Sequence, residues 1–68
     1  MPVINISIHR VDDRIKTDLI RTVTDAAVKA TGVPEQAFTV FIDEHDGMNI
    51  GLGGKTYKEV KEARERAS

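Results

Sequence analysis

MPVINISI, residues 1–8, is the stretch that decides the fold. Ile4, Ile6 and Ile8 alternate with polar residues, and this period of two predicts a strand with one apolar face. Pro2 lies directly before that strand, where its ring fixes φ and the strand restrains the next residues of the chain. Initiator methionine is usually removed before a small second residue, and removal would make Pro2 a terminal secondary amine. The alternative is that Pro2 only begins a strand, where its missing N–H donor does no harm.

A helix and a second strand are predicted after this first strand. Asp12 suits a helix N-cap, and apolar residues then recur at spacings of three and four to about Thr31. Gly32 suits the position after a helix, and Pro34 prevents its continuation. Alternation over about residues 38–44 predicts the second strand. The result is a βαβ unit, whose long crossover favours parallel pairing.

An aromatic residue, Phe41, lies on the otherwise polar face of the second strand. That face also carries Thr39 and Asp43, and the opposite, apolar face carries Phe38, Val40 and Ile42. One helix covers only one face of a sheet, and two strands do not stand alone in water. We therefore predict an α/β (α+β) fold whose sheet is completed by oligomerisation.

The composition narrows the class of protein. A chain of 68 residues forms one domain with a small core, which usually needs disulfides, a metal or oligomerisation. There is no cysteine, and His9 and His45 are too few for a zinc site, so oligomerisation remains and no cofactor is expected. A net charge of -1 argues against nucleic acid binding. No apolar run predicts a membrane span or a signal peptide, so we expect a cytoplasmic protein.

The last third of the chain is rich in glycine and then in charge. Residues 47–54, GMNIGLGG, predict a turn-rich ribbon or a short hairpin. Their glycine spacing is not that of a dinucleotide-binding loop. Residues 58–67 show helical charge pairing, such as Glu62 with Arg66, and only a weak apolar stripe. We predict a mostly solvated C-terminal helix.

Four short motifs occur in order along the chain. They are Met1-Pro2 opening the βαβ unit, Leu19-Ile20-Arg21 with Val23 on the helix, Phe41-Ile42-Asp43-Glu44 on the second strand, and Gly51-Leu52-Gly53-Gly54 after it. With this order, the sequence from Pro2 to about Gly54 resembles the 4-oxalocrotonate tautomerase family. The resemblance implies a hexamer built as a trimer of βαβ dimers. It also implies that the amino-terminal proline is a general base, which moves a proton between carbons of an unsaturated 2-oxo acid through its dienol.

The resemblance also implies substrate-binding positions. In the best-known members, one arginine follows the first strand, another lies early in the second strand, and a phenylalanine in the ribbon makes the pocket apolar. Here the first falls on Arg10 or is replaced by Val11, the second falls on Thr39, and the aromatic falls on Ile50. Arg10 is the candidate carboxylate clamp, since a guanidinium offers a bidentate fork. These departures argue against the classical dicarboxylate substrate.

Proton abstraction beside a carbonyl needs a base whose pKa lies near the working pH. An apolar pocket or a nearby cation lowers the pKa of an amine. With fewer arginines, we predict that the pKa of Pro2 is less depressed than in the classical pattern. His9 and His45 could shuttle protons, although strand-end or loop positions explain them more simply. The acidic residues 43–46 are likewise better explained by a solvated strand end and turn than by a cation site.

The predicted function is a tautomerase or isomerase acting on a 2-oxo acid or its enol, with Pro2 as the base. One alternative is a related dehalogenase or decarboxylase, in which a protonated Pro2 acts as an acid and a carboxylate activates water. Another is a non-catalytic oligomeric binding or scaffold protein on the same fold, which would account for the missing arginines. Replacing Pro2 by alanine separates these classes, because only the enzymes would lose catalysis.

Overall fold

The computed structural model describes residues 1–67 and contains a βαβ unit, a hairpin and a second helix. Its elements are β1 (Val3–His9), α1 (Asp13–Thr31), β2 (Thr39–His45), β3 (Gly51–Leu52), β4 (Lys55–Thr56) and α2 (Tyr57–Ala67). Strand β1 pairs with β2 in parallel, and β3 pairs with β4 in antiparallel orientation. The predicted α/β (α+β) fold with its glycine-rich hairpin is confirmed.

Helix α1 begins and ends where the sequence predicts. The Asp12 carboxylate accepts a hydrogen bond of 2.9 Å from the Ile15 N–H, which satisfies a free donor of the first turn. Gly32 ends the helix with φ 76°, a left-handed conformation that L side chains rarely adopt, and its N–H donates to the Val28 carbonyl. These two caps fix the length of the crossover between the parallel strands.

Strand β2 starts at Thr39, one residue later than the alternation suggested. Glu35–Ala37 form a single 3-10 turn, and the Phe38 N–H donates to the Glu35 carbonyl at 3.2 Å. Phe38 therefore belongs to the turn and not to the strand. The ladder begins where the Thr39 N–H donates to the Pro2 carbonyl at 3.0 Å.

The two faces of the β1–β2 sheet are covered differently. In the parallel register Ile6 lies beside Ile42, on the half-buried face that α1 covers. On the other face Asn5 lies beside Phe41, and Phe41 keeps 53% of its surface exposed. In the single chain Phe41 is thus exposed, on the face that the helix leaves open.

The single chain does not enclose a core. Within residues 1–67 no side chain falls in the fully buried class, and the radius of gyration is 15.5 Å. A compact chain of this length would have a radius of gyration of about 11 Å. The elongated shape, 44 × 22 × 21 Å, leaves apolar surface that other copies would have to cover.

Helix α2 starts at Tyr57 because Thr56 and Glu59 cap it reciprocally. The Thr56 hydroxyl accepts from the Glu59 N–H at 3.1 Å, while the Glu59 carboxylate accepts from the Thr56 N–H at 3.3 Å. This exchange is a capping box. Most of the helix is exposed, as predicted. Across the described part of the chain, neither helix has the length and apolar character that crossing a membrane requires.

We expect Phe41→Lys to weaken self-association, because it replaces the exposed Phe41 ring by a charge on the sheet face that α1 leaves open. Burying a phenylalanine side chain contributes about 1.5–3 kcal/mol, so its loss should raise the dissociation constant by at least about tenfold. Analytical ultracentrifugation over a concentration series measures this change. Thr22→Lys, on an exposed turn of α1, is the matched control. Unchanged assembly in the Phe41→Lys protein would show that this face is not an interface.

Candidate active site

Pro2 and Thr39 lie together at the first ends of the two parallel strands. The Pro2 carbonyl accepts the hydrogen bond from the Thr39 N–H that opens the ladder, and Val3 lies beside Thr39 in the register. Pro2 is half-buried, whereas Met1 is 93% exposed. Two of the four predicted site residues are therefore neighbours, and the residue before them is open to solvent.

Arg10 and Ile50 lie at the opposite end of the sheet. Arg10 follows directly after β1, so eight steps of an extended chain separate it from Pro2, roughly 25 Å. Ile50 lies near the C-terminal end of β1, in a cleft that His9 also lines. One chain alone does not bring the four predicted residues together.

The cleft has a volume of about 570 Å³ and lies where β1 and β2 end. Its lining residues come from both strands, the glycine ribbon and the start of α2: Ser7, Ile8, His9, His45, Asn49, Ile50, Gly51 and Tyr57. Parallel pairing explains the location, because His9 lies beside His45 in the register. Within the described residues, no lysine, arginine, aspartate or glutamate lines the cleft.

His9 makes a specific aromatic contact in this cleft. Its ring centroid lies 5.2 Å from that of Tyr57, with the ring planes at 69°, an edge-to-face arrangement. The Tyr57 N–H donates to the Ile50 carbonyl at 2.8 Å, which ties α2 to the ribbon. The contact places His9 in the wall of the cleft together with Ile50.

Glu44 binds the short loop that connects β1 to α1. This loop carries Arg10. One carboxylate oxygen accepts from the Val11 N–H at 2.9 Å, and the other lies 2.7 Å from Lys16 Nζ. The hydrogen bond from Lys16 lowers the pKa of Glu44, with smaller contributions from the Val11 N–H and the Arg10 charge. Donating this hydrogen bond to Glu44 raises the pKa of Lys16. Glu44 thus fixes the short loop next to the candidate carboxylate clamp.

Two of the three carboxylates in residues 43–46 make structural contacts within the chain. Glu44 binds Lys16 and the Val11 N–H, and the Asp46 carboxylate accepts from the Met48 N–H at 3.2 Å to start the 3-10 turn Gly47–Asn49. In residues 1–67 no three His, Asp or Glu side chains converge as metal ligands would. These contacts account for two of the three carboxylates.

Sequence reasoning missed the roles of Glu44 and Tyr57. Val11 and Glu44 are 33 residues apart, so only the parallel register reveals that they meet. Tyr57 stands between a strand and a helix, and the Thr56–Glu59 capping box is the one sequence signal that would have fixed its position. His9 lies at the end of β1, as the simpler of its two sequence explanations has it, and its contact with Tyr57 has no sequence signature.

The parallel βαβ unit, the glycine hairpin and the proline before β1 define a class of small proteins. The family model described as "Tautomerase; Tautomerase enzyme" matches residues 2–59 of this chain, beginning at Pro2. The chain therefore belongs to the tautomerase family. The match ends inside α2, so the last turns of that helix lie beyond it.

Solved structures agree with the family assignment. The crystal structure of DmpI from Helicobacter pylori is 34% identical, with a TM-score of 0.79, covering 85% of this chain and 98% of that one. A structure from the 4-oxalocrotonate tautomerase isozymes of Methylibium petroleiphilum is 30% identical to this chain, with a TM-score of 0.82. The match covers 87% of this chain and 97% of that one. A heterohexamer 4-oxalocrotonate tautomerase from Chloroflexus aurantiacus J-10-fl shares the fold at 24% identity and a TM-score of 0.82, covering 88% and 98%. No match was found among curated proteins.

We expect Glu44→Gln to lower the melting temperature in a pH-dependent way. Because the folded-state pKa of Glu44 is below its ordinary value of 4.5, its contribution is present above that value and is lost as the pH falls through the folded pKa. Because the pKa of Lys16 is above 10.5, the contribution of Lys16 is complete below that value and is lost at higher pH. The melting temperature of the Glu44→Gln protein should therefore be below that of wild type near neutrality, and the two should be equal in acid.

Thermal melts at several pH values test this expectation. Asp18→Asn, an exposed carboxylate on the same helix as Lys16, is the matched control and should show no such window. A Glu44→Gln protein that melts like wild type at pH 7 would show that the loop is held by other contacts.

Proposed function

We propose that this protein is a keto–enol tautomerase acting on an unsaturated 2-oxo acid or its enol, with the amino-terminal Pro2 as general base. The observation that carries the proposal is the position of Pro2. It lies directly before β1, its carbonyl accepts a hydrogen bond from the Thr39 N–H, and the family match starts at this residue. Met1 is 93% exposed and followed by a small residue, which favours its removal.

The proposed reaction needs one group that both accepts and returns a proton. The Pro2 nitrogen takes a proton from one position of the substrate, leaving a dienolate or enolate. The resulting ammonium then returns a proton to another carbon, so that atoms and charge balance without a cofactor. Positioning the nitrogen beside the substrate is the main requirement, since general base catalysis contributes about 10²–10⁴-fold.

Assembly supplies the rest of the site in this proposal. Each strand of the two-stranded sheet has a free edge, and β1 has no charged side chain from Val3 to Ile8, whereas β2 carries Asp43 and Glu44. Charged side chains discourage edge pairing, so β1 is the favoured edge for a second copy. A two-fold axis pairs identical edges in antiparallel orientation.

That pairing would join the two separated halves of the site. If the β1 strands pair about their middle residue, Ile6, residue 2 of one copy faces residue 10 of the other. Pro2 would then lie beside the partner's Arg10 and at the rim of the cleft that contains Ile50. Arg10 would hold the substrate carboxylate, Ile50 would form an apolar wall, and Thr39 would offer a hydroxyl next to Pro2.

The proposed assembly is a homo-oligomer, with a hexamer as the expected state. The uncovered sheet face with the exposed Phe41 provides a second surface, separate from the β1 edge, by which dimers would associate. Two different surfaces on each chain are what a trimer of dimers requires. One structural relative is a heterohexamer, so a protein with this fold can assemble with six subunits.

We expect Pro2→Ala to lower kcat for ketonisation of the enol of phenylpyruvate by about 10²–10⁴-fold, because the ring that holds the nitrogen in place is lost. Absorbance of the enol follows the reaction. Pro34→Ala, at the other of the two prolines in the chain, is the control and should keep its activity. Full activity in the Pro2→Ala protein, with the hexamer retained, would eliminate the proposed base.

The pH dependence reports on the ionisation of the base. Since an amine abstracts a proton only when it is neutral, kcat/KM should rise with pH and level off above the pKa of Pro2. With Arg10 as the only nearby arginine in the proposal, we expect this rising limb to lie above neutrality. A limb centred at or below pH 7 would contradict the predicted weak depression of the Pro2 pKa.

Arg10→Ala should raise KM by about tenfold or more, because a charge-assisted hydrogen bond to the substrate carboxylate contributes about 1.5–3 kcal/mol. The effect on kcat should be smaller, since the base is unchanged. Arg14→Ala, an exposed arginine on α1, is the matched control. Equal KM values in wild type and the Arg10→Ala protein would remove Arg10 from the site.

A further inference from the structure

The cleft at the ends of β1 and β2 contains an aromatic pair that the proposed proton transfer does not use. His9 and Tyr57 are half-buried, with ring centroids 5.2 Å apart in edge-to-face geometry. Edge-to-face pairs leave a ring face free for a further planar group. Ile8 and Ile50 line the same space.

Tyr57 is held in place both by its backbone and by contacts of its ring. Its N–H donates to the Ile50 carbonyl at 2.8 Å, and it begins α2 directly after the capping box of Thr56 and Glu59. A Cβ placed on Gly47 would lie 3.4 Å from Tyr57 Cδ2, so the glycine backbone packs closely beside the ring. His9 covers the ring from β1. The pair is therefore a fixed wall rather than a loose surface contact.

The side chains that line the cleft favour a planar apolar group over a second carboxylate. The polar side chains of the cleft are Ser7, His9, His45, Asn49 and Tyr57, and no lysine or arginine lines it within the described residues. A second substrate carboxylate would lose its hydration here without a guanidinium or ammonium partner, which is costly. A planar apolar group would instead gain from leaving water and from contact with aromatic rings.

We propose that this cleft binds the planar, apolar end of a 2-oxo acid substrate, such as an aryl group or a conjugated chain, against His9 and Tyr57. The acid end would lie at the rim, at Arg10 and the Pro2 of the partner subunit. This inference rests on the proposed function and defines its substrate class as a monocarboxylate rather than a dicarboxylate.

The kinetic test compares two enol substrates that differ at the far end. The enol of phenylpyruvate has one carboxylate and an aryl group, and 2-hydroxymuconate has two carboxylates. Wild type should prefer the aryl substrate in kcat/KM. Tyr57→Ala should reduce that preference by about tenfold, mainly through the KM of the aryl substrate, because the aromatic wall is removed. Tyr57→Phe retains the ring and should retain the preference.

The control is Lys61→Ala, on the exposed part of α2, which should leave both substrates unaffected. If Tyr57→Ala lowered kcat/KM equally for both substrates, Tyr57 would have only a structural role and the inference would be overturned. A wild-type preference for 2-hydroxymuconate would overturn it as well. Circular dichroism and sedimentation identify a variant that fails to fold or assemble.

A binding measurement separates this inference from the proposed base and needs no Tyr57 variant. The chain has one tyrosine and no tryptophan, so its NMR spectrum contains tyrosine signals only from Tyr57. In the Pro2→Ala protein, cinnamate should shift these ring signals saturably, and trans,trans-muconate should not. Equal shifts, or none with cinnamate, would overturn the inference. Retained turnover in the Pro2→Ala protein would instead refute the proposed function and leave the cinnamate result to decide the substrate class.

Discussion

Parallel pairing of β1 with β2, in a sheet that has only these two strands within residues 1–67, is the constraint on which the structure depends. Two parallel strands joined by one helix leave two free edges and one face without cover. The open face carries Phe41, and none of residues 1–67 is in the fully buried class. A chain of this size gains little from its own core, so association with other copies would stabilise it. The uncovered sheet face with Phe41 and the uncharged edge of β1 are therefore the surfaces through which the fold would be completed.

The same pairing separates the two halves of the candidate site. Pro2 and Thr39 lie at one end of the strands, and Arg10, His9 and Ile50 lie at the other. An antiparallel dimer through β1 would reunite them, which makes catalysis a property of the assembly in this account. The Glu44 contacts with Val11 and Lys16 fix the loop that carries Arg10, and in such a dimer this loop would present Arg10 to the neighbouring subunit.

The local elements were largely predictable, and the long-range contacts were not. Alternation in residues 4–8, the Asp12 cap and Gly32 set β1 and α1 through contacts a few residues apart, and the structure confirms all three. Phe38 was misplaced, because the 3-10 turn before β2 competes with a strand over the same residues. The Glu44–Val11 bond and the His9–Tyr57 contact depend on register and on chain reversal, which periodicity does not encode. Pro2, Arg10, Thr39 and Ile50 remain predictions as site residues, although the structure gives each a position.

The central claim is that the Pro2 nitrogen is a free amine that acts as a base. The most direct test is the intact mass of the protein purified from its native source. The expected mass is one methionine residue below that of the 68-residue chain. A mass that retains Met1 would contradict the claim, because the Pro2 nitrogen would then be a tertiary amide without a basic lone pair. The fold would in that case serve a binding or scaffold role, and its partners would become the object of study.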